Sequence, residues 1–179
     1  MSNLFIADTH LGHANIIRHS NRPFSNVDEM DTTIIRNWVD VASPSDDVYA
    51  AGDLIFRAAD PEKYLKQLTG HIHLIKGNHD TYLKDKRLWK YFESIDNYLE
   101  IREGNTKIIL FHYPICEWDG YFSKNPVVHL YGHIHNNEYE ISKQMDAKKN
   151  CYNIGADILD FTPRTLAEIK EIYKKKGIK

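Results

Sequence analysis

Gly77-Asn78-His79-Asp80 follows directly on the run His71-Ile72-His73-Leu74-Ile75-Lys76. The run from His71 to Ile75 reads as a short, largely buried strand, and the four residues after it as a tight polar turn. Gly77 allows a sharp bend where a side chain would clash. Asn78 offers a neutral carbonyl oxygen, and His79 an imidazole that exchanges a proton near neutral pH. Asp80 adds a carboxylate. In α/β proteins the chemistry collects where strands run out into such turns. Gly-Asn and His-Asp also make ordinary turns, so the weight of this stretch depends on what stands elsewhere in the chain.

The same design recurs. Leu4 to Ala7 is an apolar run that ends at Asp8-Thr9-His10-Leu11-Gly12-His13. A carboxylate and an imidazole two residues apart in extended chain point the same way, so Asp8 and His10 can grip one cation. A polar turn is the competing reading of that hexapeptide. Val48 to Ala51 runs into Gly52-Asp53-Leu54, and Lys107 to Phe111 into His112-Tyr113-Pro114. Val127 to Tyr131 ends at Gly132-His133-Ile134-His135, where two imidazoles flank one residue. Tyr98 to Glu103 alternates apolar and charged residues, and Gly104-Asn105 is a hairpin signal. Cys151 to Gly155 reads as a last strand.

Helices separate these strands. Val27 to Val41 carries Val27, Met30, Ile34, Trp38 and Val41 on one face, with Ser25 and Asp28 as the expected N-terminal cap. A short helix beyond Gly12 takes His13 and His19, read as outer histidines rather than ligands. Asp60-Pro61 opens a helix through Leu68 that Gly70 stops. Lys84 to Lys90 reads as a charged helical face. Thr162-Pro163 opens a C-terminal helix with Leu166, Ile169 and Ile172 on one side, and Lys174-Lys175-Lys176 suits its dipole. His71 and His73 are expected to be packed or at the surface. The loop Ile115 to Asn125 holds Trp118, Tyr121 and Phe122. Side chains anchoring the loop are the favoured reading, and a rim for a nucleoside-bearing substrate is the other.

The 179 residues fit one domain spanning 1–179 with a sizeable core. With 42% hydrophobic and 27% charged residues and a net charge of -2, nothing argues for nonspecific nucleic-acid or membrane binding. Cys116 and Cys151 fit no zinc ribbon or disulfide framework and suit a reducing compartment. No signal peptide or membrane span is apparent, so the expected location is the cytoplasm.

Strand ends thus carry Asp8 and His10, Asp53, Asn78 and His79, His112, and His133 and His135. Oxygen and nitrogen donors without thiolate suit Mn, Fe, Zn or Ni rather than calcium. They are too many for one tetrahedral site and enough for two sites sharing a carboxylate. Two adjacent ions can activate a bridging hydroxide for in-line displacement at phosphorus.

The ordered set Asp-x-His, Gly-Asp, Gly-Asn-His-Asp, His and Gly-His-x-His, spanning residues 8 to 135, resembles the calcineurin-like metallophosphoesterase superfamily. The resemblance implies an α/β fold of two mixed β-sheets packed face to face with flanking helices, a four-layer αββα sandwich. It implies one divalent ion on Asp8, His10, Asp53 and His135, and a second on Asp53, Asn78, His112 and His133, with Asp53 bridging. It implies that His79 contacts the phosphate and protonates the leaving group. The substrate would be a phosphate ester, a diester in preference to a monoester and possibly nucleotide-like. A non-catalytic metal-binding scaffold is the alternative. One departure stands out. Many members carry Asp or His three residues after the bridging Asp to orient the acid histidine, and here that position is Phe56, followed by Arg57.

Overall fold

The computed structural model describes residues 2–178. Four strands form a first sheet: β1 (Asn3–Ile6), β2 (Asp47–Ala50), β3 (His71–Ile75) and β4 (Ser94–Asp96), in that order and all parallel. A second holds β5 (Tyr98–Glu103), β6 (Thr106–Phe111), β7 (Val127–Tyr131) and β8 (Cys151–Asn153). Here β5 and β6 form an antiparallel hairpin, and β6, β7 and β8 run parallel. The sheets join along one edge, where Ala7 exchanges backbone hydrogen bonds with Ile154 and Ala156.

Strand alternation explains why these sheets stack. In β1, Leu4 and Ile6 face one side, and Phe5 and the following Ala7 the other. Phe5, Ala7, Tyr49, Ala51 and Ile75 meet Ile108, Leu110, Val128, Leu130, Tyr152 and Ile154 between the sheets. On the far side of the first sheet, Leu4, Ile6, Val48, Ala50, Ile72 and Leu74 pack on Met30, Ile34 and Trp38 of α2 (Val27–Val41). The outer face of the second sheet presents Ile109, Tyr131 and Cys151 to Trp118 and Met145. Met145 belongs to a helix (Glu140–Asp146) that we call α4 after α1 (Ala14–His19), α2 and α3 (Glu62–Leu65). The order helix, sheet, sheet, helix is the expected sandwich.

Several boundaries differ from the sequence reading. The α2 cap is Asn26, whose Oδ1 accepts from Glu29 N at 2.9 Å, while Ser25 N donates to Glu29. Val41 is 40% exposed and lies off the buried face. The helix expected to reach Leu68 ends at Leu65, and the Lys84–Lys90 helix is two 3-10 turns, Thr81–Lys84 and Lys86–Tyr91. The C-terminal helix α5 (Leu166–Lys175) begins later than expected, behind a Thr165–Glu168 capping box, and buries Tyr173 rather than Ile172 with Leu166 and Ile169. Among the described residues, no helix is long and apolar enough to cross a membrane.

Candidate metal centre

The strands of both sheets deliver their polar ends to one place. Beyond β1 and β2 the backbone ladder continues, Asp8 N to Gly52 O and His10 N to Asp53 O, both at 3.0 Å. Asp8 and His10 are thereby held against Asp53. Ligand atoms of Asp8, His10 and His135 lie within 4.8 Å of one another, and so do those of Asp8, Asp53 and His112. Asp53 Oδ2 sits 3.6 Å from His10 Nε2 and 3.5 Å from His112 Nε2. His112 Nε2 lies 3.2 Å from Asn78 Oδ1, and the His112 and His133 rings are 5.2 Å apart. Asp8 is thus close to both groups, where the sequence reading gave it to one.

The backbone at this place is strained. Asp8, His10, Asp53, His133 and His135 all adopt φ between 51° and 73°, a region that residues with a Cβ rarely enter. Such strain persists only where the surroundings enforce it, and it gathers at functional sites.

Each carboxylate divides its oxygens. Asp53 Oδ1 accepts the His79 amide at 2.7 Å, which leaves Oδ2 toward the imidazoles. Asp8 Oδ2 accepts the His133 amide at 2.8 Å, which leaves Oδ1 without a partner. Both ring nitrogens of buried His10 also lack partners. Buried polar atoms are rarely left unpaired. Burial pushes the Asp8 carboxyl up to about 7 against the pull of His135, and it raises Asp53 as well. Burial likewise holds His10 well below its ordinary value. Desolvated carboxylates and neutral imidazoles with open lone pairs are the donor set a divalent cation satisfies. His112 has its tautomer set for this, because Nδ1 lies 2.8 Å from the Ala51 carbonyl and Nε2 is left free to accept.

Glycines make the convergence possible. A Cβ on Gly77 would stand 2.6 Å from Asp53 N and closer still to Asp53 Oδ1. One on Gly132 would stand 2.7 Å from the Ala7 Cβ and closer to Asp8 Oδ2. Each glycine clears room for a carboxylate from another loop.

Three supporting residues carry no metal-ligand spacing in the sequence. Asp80 is buried, and it accepts from the amides of Gly77 (2.7 Å), Asp53 (2.9 Å) and Leu54 (2.9 Å), tying two loops together. Asp157 Oδ2 lies 2.8 Å from His135 Nδ1. Arg22, 5% exposed, grips both Asp157 oxygens and also donates to the carbonyls of Asp8 and Thr9. Burial opposes charge at both His135 and Asp157, yet the pair overcomes it: His135 is raised and Asp157 lowered.

Phe56 builds an aromatic wall beside His79. It stacks on His13 at 3.6 Å and 17°, and meets the His79 ring edge-on at 4.9 Å. His13 is half-buried, its Nδ1 unpartnered, and burial takes its pKa down to about 4. The Arg57 guanidinium lies 5.3 Å over Phe56, and the residue is exposed. His19 is exposed, and His71 and His73 both face Asp47. In the aromatic loop, Trp118 is buried against Tyr121 and His129 as an anchor, whereas Phe122 is 82% exposed.

The model of the calcineurin-like phosphoesterase superfamily domain matches residues 1–156. The chain belongs to the calcineurin-like phosphoesterase superfamily. An uncharacterized protein of Methanocaldococcus jannaschii is 33% identical over 177 residues, 95% of this chain and 90% of that one. A protein of unknown function from Aquifex aeolicus has a solved structure that superposes with a TM-score of 0.75 at 29% identity, over 95% of this chain and 98% of that one. A structure described as a novel archaeal phosphodiesterase shares the fold, with a TM-score of 0.50 at 19% identity over 87% and 82% of the two chains. Calcineurin-like phosphoesterases act on phosphate esters with divalent metal ions, and the Asp/His groups here are of the kind that bind them.

Proposed function

We propose that this calcineurin-like protein, as a single domain over residues 1–179 in the cytoplasm, is a dinuclear metal-dependent phosphoesterase that prefers phosphodiesters. The observation that carries the reading is Asp53 Oδ2, placed between His10 Nε2 and His112 Nε2 at 3.6 and 3.5 Å. Asp8, His10, Asp53 and His135 would hold one ion, and Asp53, Asn78, His112 and His133 the other. Manganese is the first choice for these oxygen and nitrogen donors, with Fe, Zn or Ni as the others. When bound, the ions supply charge neutralisation and activation of water at phosphorus.

The protein supplies position and a proton. The His79 backbone amide is fixed to Asp53 Oδ1, so the residue that carries the imidazole is tied to the shared carboxylate. Phe56 limits its swing from one side. His79 donates the proton that an alkoxide leaving group needs. Preference for a diester follows from the cations available. Arg22 is committed to Asp157 and two carbonyls, and Arg57 is exposed over Phe56, so neither forms a clamp for a dianion.

The test is twofold. Asp53→Asn should lower the content of both ions, and retention of two ions per chain would remove the bridge. His79→Ala should slow a diester with an alkyl leaving group by about 10²–10⁴-fold and an activated aryl ester far less. Equal losses on both esters would remove the proton-donor role.

A further inference from the structure

We infer that the substituent retained on phosphorus is a single nucleoside, stacked on Tyr113. The inference rests on the phosphoesterase reading and adds its substrate class.

Tyr113 directly follows His112. Its ring lies 4.9 Å from that of His112 at 76° and 4.6 Å from that of His133 at 62°. Its hydroxyl lies 3.5 Å from Asn78 Oδ1. It therefore touches three residues assigned to the second ion while carrying no ligand role of its own. An aromatic that served only to pack those ligands would be buried with them. Tyr113 is half-buried, and it begins a strip that continues outward. Its ring is 5.6 Å from Phe111, itself half-buried, and Phe111 is 6.2 Å from Tyr98, 40% exposed. Phe111 and Tyr98 face each other in the β5–β6 register. Contiguous aromatics left in water at the mouth of a site mark a surface for an apolar or planar ligand. Base-to-aromatic stacking is the recognition mode that tolerates any base.

Charge limits the ligand to one base. The Tyr98 hydroxyl donates to Glu100 at 3.0 Å, and Glu100 and Asp119 share the single ammonium of Lys107. The outer end of the strip is thus acidic, and a continuing phosphate backbone would be repelled there. A mononucleoside ester reaches the rings without reaching the carboxylates.

The experiment compares two esters with the same leaving group, thymidine 5′-(4-nitrophenyl phosphate) and methyl 4-nitrophenyl phosphate, on the metal-loaded full chain. The thymidine ester should show a kcat/KM at least about tenfold higher, the size stacking provides. Tyr113→Leu should bring the ratio close to one, and Tyr113→Phe should keep it. Thymidine 5′-monophosphate should inhibit better than methyl phosphate by a similar factor, and Tyr113→Leu should abolish the difference. Should Tyr113→Leu fail to fold, Phe111→Thr provides the second variant and lowers the same ratio. Turnover of the methyl ester with a wild-type ratio near one overturns the nucleoside inference alone. A high ratio that survives both substitutions also overturns it. Turnover of neither ester with Mn, Fe, Zn or Ni overturns the phosphoesterase reading and this inference with it.

Discussion

His135 Nδ1 lies 2.8 Å from Asp157 Oδ2. The contact fixes the imidazole's tautomer, leaves the Nε2 lone pair open, and increases its basicity. Arg22 closes the other side of the carboxylate, with both side chains almost wholly buried. Asp157→Asn keeps the shape and removes the charge. It should weaken binding of the ion on His135 about 10- to 100-fold, measured by competition with a chelator. Asp157→Ala should in addition leave the Arg22 guanidinium buried without a counter-ion. That should lower stability of the metal-free protein by about 3–5 kcal/mol in urea unfolding. Unchanged metal affinity in the Asn variant would show that Asp157 serves only Arg22.

Asp80 carries a different load. Its two oxygens accept three backbone amides from the loops after β2 and β3. Asp80→Ala strands those donors, and each buried unsatisfied group costs about 1–3 kcal/mol. The variant should therefore lose about 3 kcal/mol or more without metal, and should bind metal poorly because Asp53 no longer has a fixed frame. Metal-free stability equal to wild type would show that the loops hold their shape without this carboxylate.

How far the sequence discloses this arrangement depends on the kind of constraint. Asp8, His10, Asp53, Asn78, His112, His133 and His135 were legible because uncommon residue types stand in short motifs at the ends of apolar runs. The structure brings these residues together, and their metal roles rest on the reading proposed above. Asp157 and Arg22 were not legible. They meet across 135 positions in the chain, and an isolated Asp or Arg carries no periodic signal. Asp80 belongs to the Gly77–Asp80 motif, but two of the amides it holds are on a distant loop. β4 has only three residues, and α4 buries only Met145, too little for a pattern to show. Sequence alone does not single out Asn26 as the cap, because Ser25, Asn26 and Asp28 all suit helix starts. Phe56 was visible as a departure, whereas its stack on His13 needed coordinates.

Gly77 tests whether close approach, rather than turn geometry, dictates the glycine. Its φ is negative, so alanine is acceptable to the backbone alone. The added methyl would nevertheless meet Asp53 N at 2.6 Å and press on Asp53 Oδ1. Gly77→Ala should displace the shared carboxylate and lower the content of both ions, with a loss of about 1–3 kcal/mol in stability from overpacking. Full metal content with normal stability in the variant would show that the loops part easily.

Asp46 gives a pH dependence remote from the metal centre. It accepts the Ser43 hydroxyl at 2.6 Å, the Ser43 amide at 2.9 Å and the Ser2 amide at 2.6 Å. Those bonds, the hydroxyl first, pull its carboxyl down to about 2. An unfolded aspartate titrates at about 3.9. The folded form holds its proton less tightly, so unfolding takes up protons as the pH drops through this range. The resulting stabilisation is complete above about pH 5 and disappears as the pH falls through about 4 to about 2. Asp46→Asn should therefore lower the melting temperature at pH 6, and the gap to wild type should close steadily toward pH 2. Thermal unfolding of the metal-free proteins across that range reads the effect directly, and a gap that stays constant with pH would mean that the Asp46 carboxylate draws no stability from Ser2 and Ser43.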